Sequence, residues 1–136
     1  MINLPALLKH YESEYHYLFA RTYRAVKGND ISKVELNYIF PNIARRLLET
    51  FLSFKRPETA GNLWASLQAI GSTPALLSIY AFVNRYSHGD RIDERAHDDS
   101  VLTETKPLLT EILNLIKDED VGHYDAMERL TNKYPN

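Results

Sequence analysis

The first notable absence from this 136-residue sequence is cysteine. Without thiols the chain can form neither a disulfide framework nor a thiolate zinc site. It also lacks any apolar run approaching the ~18 residues that a membrane-spanning helix needs, and its first residues show no signal-peptide pattern. These absences predict a cytoplasmic protein with no membrane segment.

A strong charge of either sign is also missing, because 16 basic residues face 18 acidic ones and the net charge is −2. Proteins dedicated to nucleic acids are usually basic, so this balance argues against a large RNA surface but allows a local basic patch. The five histidines are scattered without the i, i+4 spacing of a helical metal motif. The acidic residues between positions 90 and 99 lack the glycine-punctuated spacing of a cation-binding loop, so we predict a solvated loop there (Asp90, Asp93, Glu94, Asp98 and Asp99). We expect no metal site and no cofactor.

Helical periodicity dominates the chain, and no alternating apolar and polar run typical of a strand is present. The pattern predicts one all-α domain over residues 1–136, a bundle of five to six helices with short connections. We expect helices over residues 4–26 (capped by Asn3), from just after Pro41 to about 54, 59–70, 74–88, 101–117 and 118–134, with a short helix at 34–40 as an option. Gly71 is expected to end the third helix and Ser72 or Thr73 to cap the fourth. Pro107 is expected to kink the fifth helix or to start a new one.

The apolar positions of these helices predict which side chains form the core. On a helical wheel, Ile43, Leu47, Phe51 and Phe54 share one side of the second helix. In the third helix we expect Leu63, Trp64 and Leu67 to face inward. In the fourth helix, Tyr80, Phe82 and Tyr86 predict that several sides of the helix are buried. The aromatic residues of the first helix are more typical of core than of base-stacking positions.

The second helix also carries a polar stripe, roughly 100° wide, opposite its apolar face. Asn42, Arg45, Arg46 and Glu49 belong to this stripe, together with Ser53. Arg45 and Glu49 are four residues apart and can touch. One interpretation is a solvated ion pair worth ~0.3–0.5 kcal/mol; the other is a pair of groups capable of phosphodiester chemistry.

A second stripe runs along the fourth helix, where Leu77, Ala81, Asn84 and His88 fall in line. The stripe is apolar at its start and polar at its end, which predicts a face that leaves the core and opens into a cleft or an interface. The alternatives are structural. His88 suits the negative end of the helix dipole, and Asn84 can be a buried amide that bonds a neighbouring helix.

Extended strings of residues resemble one bacterial family over nearly the whole chain. The strings are residues 4–8, 12–19, 41–55, 82–88 and 120–127, which include NIARRLLE from Asn42 to Glu49 and NRYSH from Asn84 to His88. They resemble the C-terminal nuclease domain of the PrrC/RloC-type anticodon nucleases, P-loop ATPases whose nuclease part is grouped with the all-helical HEPN ribonucleases. The resemblance implies a HEPN-like fold, a homodimer, and a role in bacterial defence or as a toxin.

The resemblance also implies residue roles. In such nucleases an arginine and a glutamate one helical turn apart, with a later histidine, form the functional triad, which corresponds to Arg45, Glu49 and His88. The implied reaction is metal-independent cleavage of tRNA in the anticodon loop, which leaves a 2′,3′-cyclic phosphate. Asn84 is then expected to orient His88 or a phosphate oxygen. The remaining candidates for RNA contact are Asn42, Arg46 and Arg85.

Two departures from the family pattern leave other functions open. The usual HEPN signature places an arginine four to six residues before its histidine, and this chain has no arginine there, so Arg45 must substitute for it. The sequence also contains no GxxxxGK[ST] string for nucleotide binding. The chain is therefore expected to be either a domain cut out of a P-loop ATPase or the partner of a separate P-loop ATPase. The alternative is a non-catalytic helical interaction module or remnant that docks such an ATPase.

Overall fold

The fold is known from a computed structural model that describes residues 13–28, 38–71, 73–87 and 99–133. Over these ranges the chain forms six α-helices and no strand, which confirms the predicted all-α bundle. None of the helices in these ranges is both long enough and apolar enough to cross a membrane. In chain order they are α1 (Glu14–Lys27), α2 (Phe40–Lys55), α3 (Leu63–Ile70), α4 (Pro74–Ser87), α5 (Asp99–Glu119) and α6 (Val121–Lys133).

Helix α1 begins at a local cap that the sequence supplies. The Ser13 hydroxyl oxygen accepts a hydrogen bond from the His16 N–H at 3.0 Å, and so satisfies one of the donors left open in a first helical turn. Lys27 lies in the last turn, where a cation favours the helix dipole. The predicted start at residue 4 with its Asn3 cap, and most of the optional helix at 34–40, lie outside the described residues.

The connection between α2 and α3 differs from the prediction. Pro57–Thr59 form one 3₁₀ turn, and α3 begins four residues later than expected, at Leu63. Gly61 has a φ of 87°, a left-handed conformation that a helix cannot contain. The Asn62 side chain then caps α3 by accepting from the Ala65 N–H at 3.0 Å, so the helix starts after the turn. Its end at Gly71 is as predicted.

The remaining helices follow the signals in the sequence. Thr73 caps α4 by accepting from the Leu76 N–H at 3.3 Å, with Pro74 in the first turn. Pro107 lies inside the continuous helix α5 and does not start a new helix. Asp120 separates α5 from α6, and its Oδ1 accepts from the His123 N–H at 3.0 Å.

The core is built around α2, which packs against α1, α3, α4 and α5. Helix α6 completes the bundle by packing on α1 and α5. The aromatic ring of Phe19 on α1 is fully buried, so the core assignment of that helix holds for it. His16 of α1 is also fully buried. The other large apolar side chains with no or almost no exposure come from α2, α3, α4 and α5 (Phe40, Leu47, Leu48, Leu52, Leu67, Ile79, Phe82, Leu109, Ile112 and Ile116).

Three core predictions were wrong. Phe54 is 79% exposed because it lies at the edge of the apolar face of α2, in the last turn of the helix. Trp64 is 39% exposed and packs its ring against Tyr80, with ring centroids 4.6 Å apart. Leu77, at the start of the α4 stripe, is 48% exposed. Among its described side chains, which do not include Tyr86, α4 therefore buries one face. Its stripe begins in solvent and not in the core.

Two phenylalanines three residues apart test this placement. We expect Phe51→Ala to lower the free energy of unfolding by about 3–5 kcal/mol because its ring is buried. Phe54→Ala should change it by less than about 0.5 kcal/mol because the ring is exposed. Urea denaturation of both variants measures the difference, and equal losses would contradict the exposed position of Phe54.

Candidate functional site

One arginine joins the two polar stripes predicted from the sequence. Arg45 on α2 donates from Nη1 to Oδ1 of Asn84 on α4 at 2.5 Å. The Nε of the same guanidinium donates to Oε2 of Glu49 at 3.3 Å. The packing of α2 on α4 therefore brings together Arg45, Glu49 and Asn84, although Asn84 is 39 residues away from Arg45 in the chain.

The three side chains lie at the edge of the bundle, between core and solvent. The Arg45 side chain is 28% exposed and that of Glu49 is 45% exposed. Asn84 is half-buried. Partial burial weakens solvent screening of the Arg45 contacts, while the Glu49 carboxylate stays accessible to a substrate.

A small recess of about 80 Å³ lies beside Glu49, between α2 and the start of α3. Ser53 and Ser66 contribute hydroxyl groups to its wall, and Gly61 and Asn62 form its rim. None of the residues at the start of α3 is predicted as a site residue from the sequence. The Gly61-Asn62 pair is a recognisable turn signal, but which helix the turn faces depends on tertiary packing.

The remaining site residues predicted from the sequence are Asn42, Arg46, Arg85 and His88. Arg46 forms an ion pair with Glu14 of α1. Asn42 is exposed one turn before Arg46. His88 and the Arg85 side chain lie outside the described residues.

A second group of polar side chains, the Tyr15–His123 pair and its neighbours, meets at the other end of α2. The Tyr15 hydroxyl lies 2.8 Å from His123 Nε2, and the ring of Phe51 stacks near that of His123 with centroids 5.6 Å apart. Lys55 pairs with Asp120 at 3.2 Å. The residues of this group are up to 108 positions apart. The sequence predicts Phe51 and Tyr15 as core residues and marks none of the group as a site residue.

Burial and hydrogen bonding together set the protonation of this group. Desolvation lowers the pKa of His123, although the nearby Asp120 carboxylate opposes the shift. Desolvation also raises the pKa of the Tyr15 hydroxyl far above its usual range. The backbone N–H of His123 holds the pKa of Asp120 below its usual range, with help from Lys55. At neutral pH a neutral His123 ring therefore faces a protonated Tyr15 hydroxyl.

Metal ligands do not converge in the part of the chain that is described. No group of three or more histidine, aspartate or glutamate side chains comes together there in a way that would hold an ion.

The Arg45–Asn84 bond should stabilise the fold more than the Arg45–Glu49 pair. We expect Asn84→Ala to cost about 1–3 kcal/mol, because it leaves a partly buried guanidinium without its amide acceptor. Glu49→Gln should cost less than about 0.5 kcal/mol, as is usual for an i, i+4 ion pair with half-exposed partners. Double-mutant cycles with Arg45→Met, read by urea denaturation, compare the two couplings. A coupling energy between Arg45 and Glu49 larger than that between Arg45 and Asn84 would contradict this prediction.

The buried imidazole makes stability depend on pH. The native pKa of His123 lies below its unfolded value of about 6.5. The unfolded chain therefore binds more protons between these two values, and the free energy of unfolding should fall as the pH drops below about 6.5. His123→Gln should flatten this slope. Tyr15→Phe keeps the imidazole buried and should retain the slope. Thermal melts between pH 5 and 8 measure both variants. An unchanged slope in His123→Gln would show that His123 is not the cause of the pH dependence.

The comparisons with known proteins identify a family. A family model described as an AAA domain matches residues 1–114, which is most of the chain. No curated protein and no solved structure matches. The match supports the ATPase side of the predicted resemblance, although the sequence contains no GxxxxGK[ST] string. By this match over residues 1–114, the chain belongs to the AAA domain family.

Proposed function

We propose that this chain is a HEPN-like, metal-independent ribonuclease domain of a bacterial defence or toxin system. Its proposed substrate is tRNA, cleaved in the anticodon loop. The observation that carries the proposal is the pair of hydrogen bonds from Arg45, which place Glu49 and Asn84 around one guanidinium.

The proposed reaction uses groups of the chain and of the RNA alone. The 2′-oxygen attacks the adjacent phosphorus, the bond from phosphorus to the 5′-oxygen breaks, and a 2′,3′-cyclic phosphate and a 5′-hydroxyl form. Glu49 and His88 are the two proton-transfer groups, one taking the proton of the 2′-hydroxyl and the other protonating the leaving oxygen. Arg45 stabilises the negative charge that develops on the phosphoryl oxygens.

The geometry of Arg45 supports this role. A guanidinium is planar, and its N–H donors form a fork that matches phosphate. The bonds to Glu49 and Asn84 come from two helices, so they fix the plane of the fork before substrate arrives. Such preorganisation is what electrostatic stabilisation of a transition state requires. Asn84 then acts as a positioning residue for Arg45.

The substrate path would follow exposed basic side chains near this centre. Arg46 is half-exposed, and its ion pair with Glu14 can exchange for a phosphate because both partners face solvent. A homodimer would bring two copies of Arg45, Arg46 and Arg85 to one RNA. That arrangement would compensate for the net charge of −2.

A second function is favoured by a different observation. The AAA domain model covers residues 1–114, yet the described part of those residues is helical and holds no strand. A helical segment within an ATPase family can serve as a docking module for a separate P-loop ATPase without being catalytic. In that case Arg45 and Glu49 form a surface ion pair only.

Cleavage in the absence of metal separates the two functions. We expect purified protein, incubated with total bacterial tRNA in EDTA, to give discrete fragments with cyclic-phosphate ends. Glu49→Gln and His88→Ala should each lower the rate by about 10²–10⁴-fold, the usual contribution of a proton-transfer group. Glu111→Gln, an exposed carboxylate on α5, is the matched control and should be fully active.

The same preparations must keep their fold for the result to count. Circular dichroism and melting temperatures of Glu49→Gln should equal those of the wild type. Equal cleavage by the wild type and Glu49→Gln would exclude the proposed chemistry. Absence of cleavage by the wild type, with or without an added P-loop ATPase, would favour the docking module.

A further inference from the structure

A groove of about 460 Å³ opens at the C-terminal end of α2, where this helix meets the starts of α1 and α6. Its volume lies within the range of about 300–1,000 Å³ that is typical of small-ligand sites. Phe51 and Phe54 give it apolar walls, and Tyr15 and His123 give it a polar one. We call it the Phe54 groove.

Phe54 is the unusual member of this groove. It is 79% exposed, the highest exposure among the large hydrophobic side chains described. Its ring therefore contributes little to the core and presents a flat aromatic face to solvent. Such faces are the platforms on which unpaired nucleobases stack, whatever the base, because every base has a π-face.

The other side chains of the groove match the rest of a nucleotide. The Tyr15 hydroxyl and the His123 ring, 2.8 Å apart, form a polar edge within an aromatic wall. The hydrogen-bonding edge of a base requires such groups. Lys55 lies at the rim, where its ion pair with Asp120 is about one-third exposed on both sides and can exchange for a phosphate.

The groove is connected to the proposed cleavage site by the exposed side of α2. Phe54 follows Arg45 by nine residues, which corresponds to about 13–14 Å along a helix axis. Glu49 and Arg46 are exposed on the surface between these positions. A single strand held at Arg45 can therefore cross this face and reach the groove within a few nucleotides.

We propose that the Phe54 groove binds one unstacked base of a single-stranded RNA segment, with the base stacked on Phe54 and its polar edge at Tyr15 and His123. This inference rests on the proposed function and adds to it a base-binding subsite away from the scissile phosphate. It makes Phe54 a binding residue with no part in the bond-breaking step.

The test measures binding without cleavage, in the Glu49→Gln background. The probe is a fluorescein-labelled RNA hairpin with a single-stranded loop, followed by fluorescence anisotropy. Phe54→Ala should weaken binding by roughly tenfold, as expected for the loss of one base–aromatic stack. Phe54→Trp should retain affinity because the larger ring also stacks. Ile39→Ala, which removes a 41%-exposed apolar side chain at the other end of α2, is the control and should bind normally.

A series of abasic hairpins locates the base. If one base occupies the groove, one abasic position should weaken binding to Glu49→Gln and have no further effect when Phe54→Ala is also present. Additive effects at every position would overturn the inference. So would binding that Phe54→Ala leaves unchanged.

The two proposals fail in different ways. If the wild type cleaves tRNA and Phe54→Ala cleaves it with the same KM, the base-binding subsite is wrong and the nuclease stands. If Phe54 is needed for binding but no variant or wild type cleaves, RNA binding stands and the cleavage chemistry is wrong. If no RNA binds at all, both proposals are overturned.

Discussion

The burial of α2 among four other helices is the constraint on which the rest of the structure depends. Most of its apolar side chains are buried, Leu47 and Leu48 fully, so the helix cannot rotate about its axis without exposing them. Because side chains leave a helix at fixed angles, this same constraint points Arg45 toward α4 and turns Phe54 to solvent. The core therefore fixes the direction of every polar group on α2.

The end of α2 is fixed in a different way. Lys55 pairs with Asp120 at 3.2 Å and Arg56 with Glu119 at 2.9 Å, which ties the helix terminus to the junction of α5 and α6. Ion pairs this exposed stabilise a fold by less than about 1 kcal/mol each. Their importance is geometric, since they hold the wall of the Phe54 groove that α6 provides against the wall that α2 provides.

How far the sequence determined these features depends on the range of the interaction. The cap at Thr73 and the contact from Arg45 to Glu49 involve residues three or four apart, so periodicity and local rules predicted them. The bond from Arg45 to Asn84 and the meeting of Tyr15 with His123 depend on how helices pack, which no local pattern encodes. The same limit explains Phe54, whose apolar character favoured burial although it is 79% exposed.

The shared guanidinium of Arg45 has a consequence for the evolution of the family. Lysine offers a compact ammonium in place of a planar fork, so it cannot satisfy a carboxylate on its own helix and an amide on the next in the same geometry. A change at Arg45 therefore alters the selective value of the residues at both of the other positions. Among relatives, these three positions should vary together, and their covariation would record the α2–α4 contact in sequences for which no structure exists.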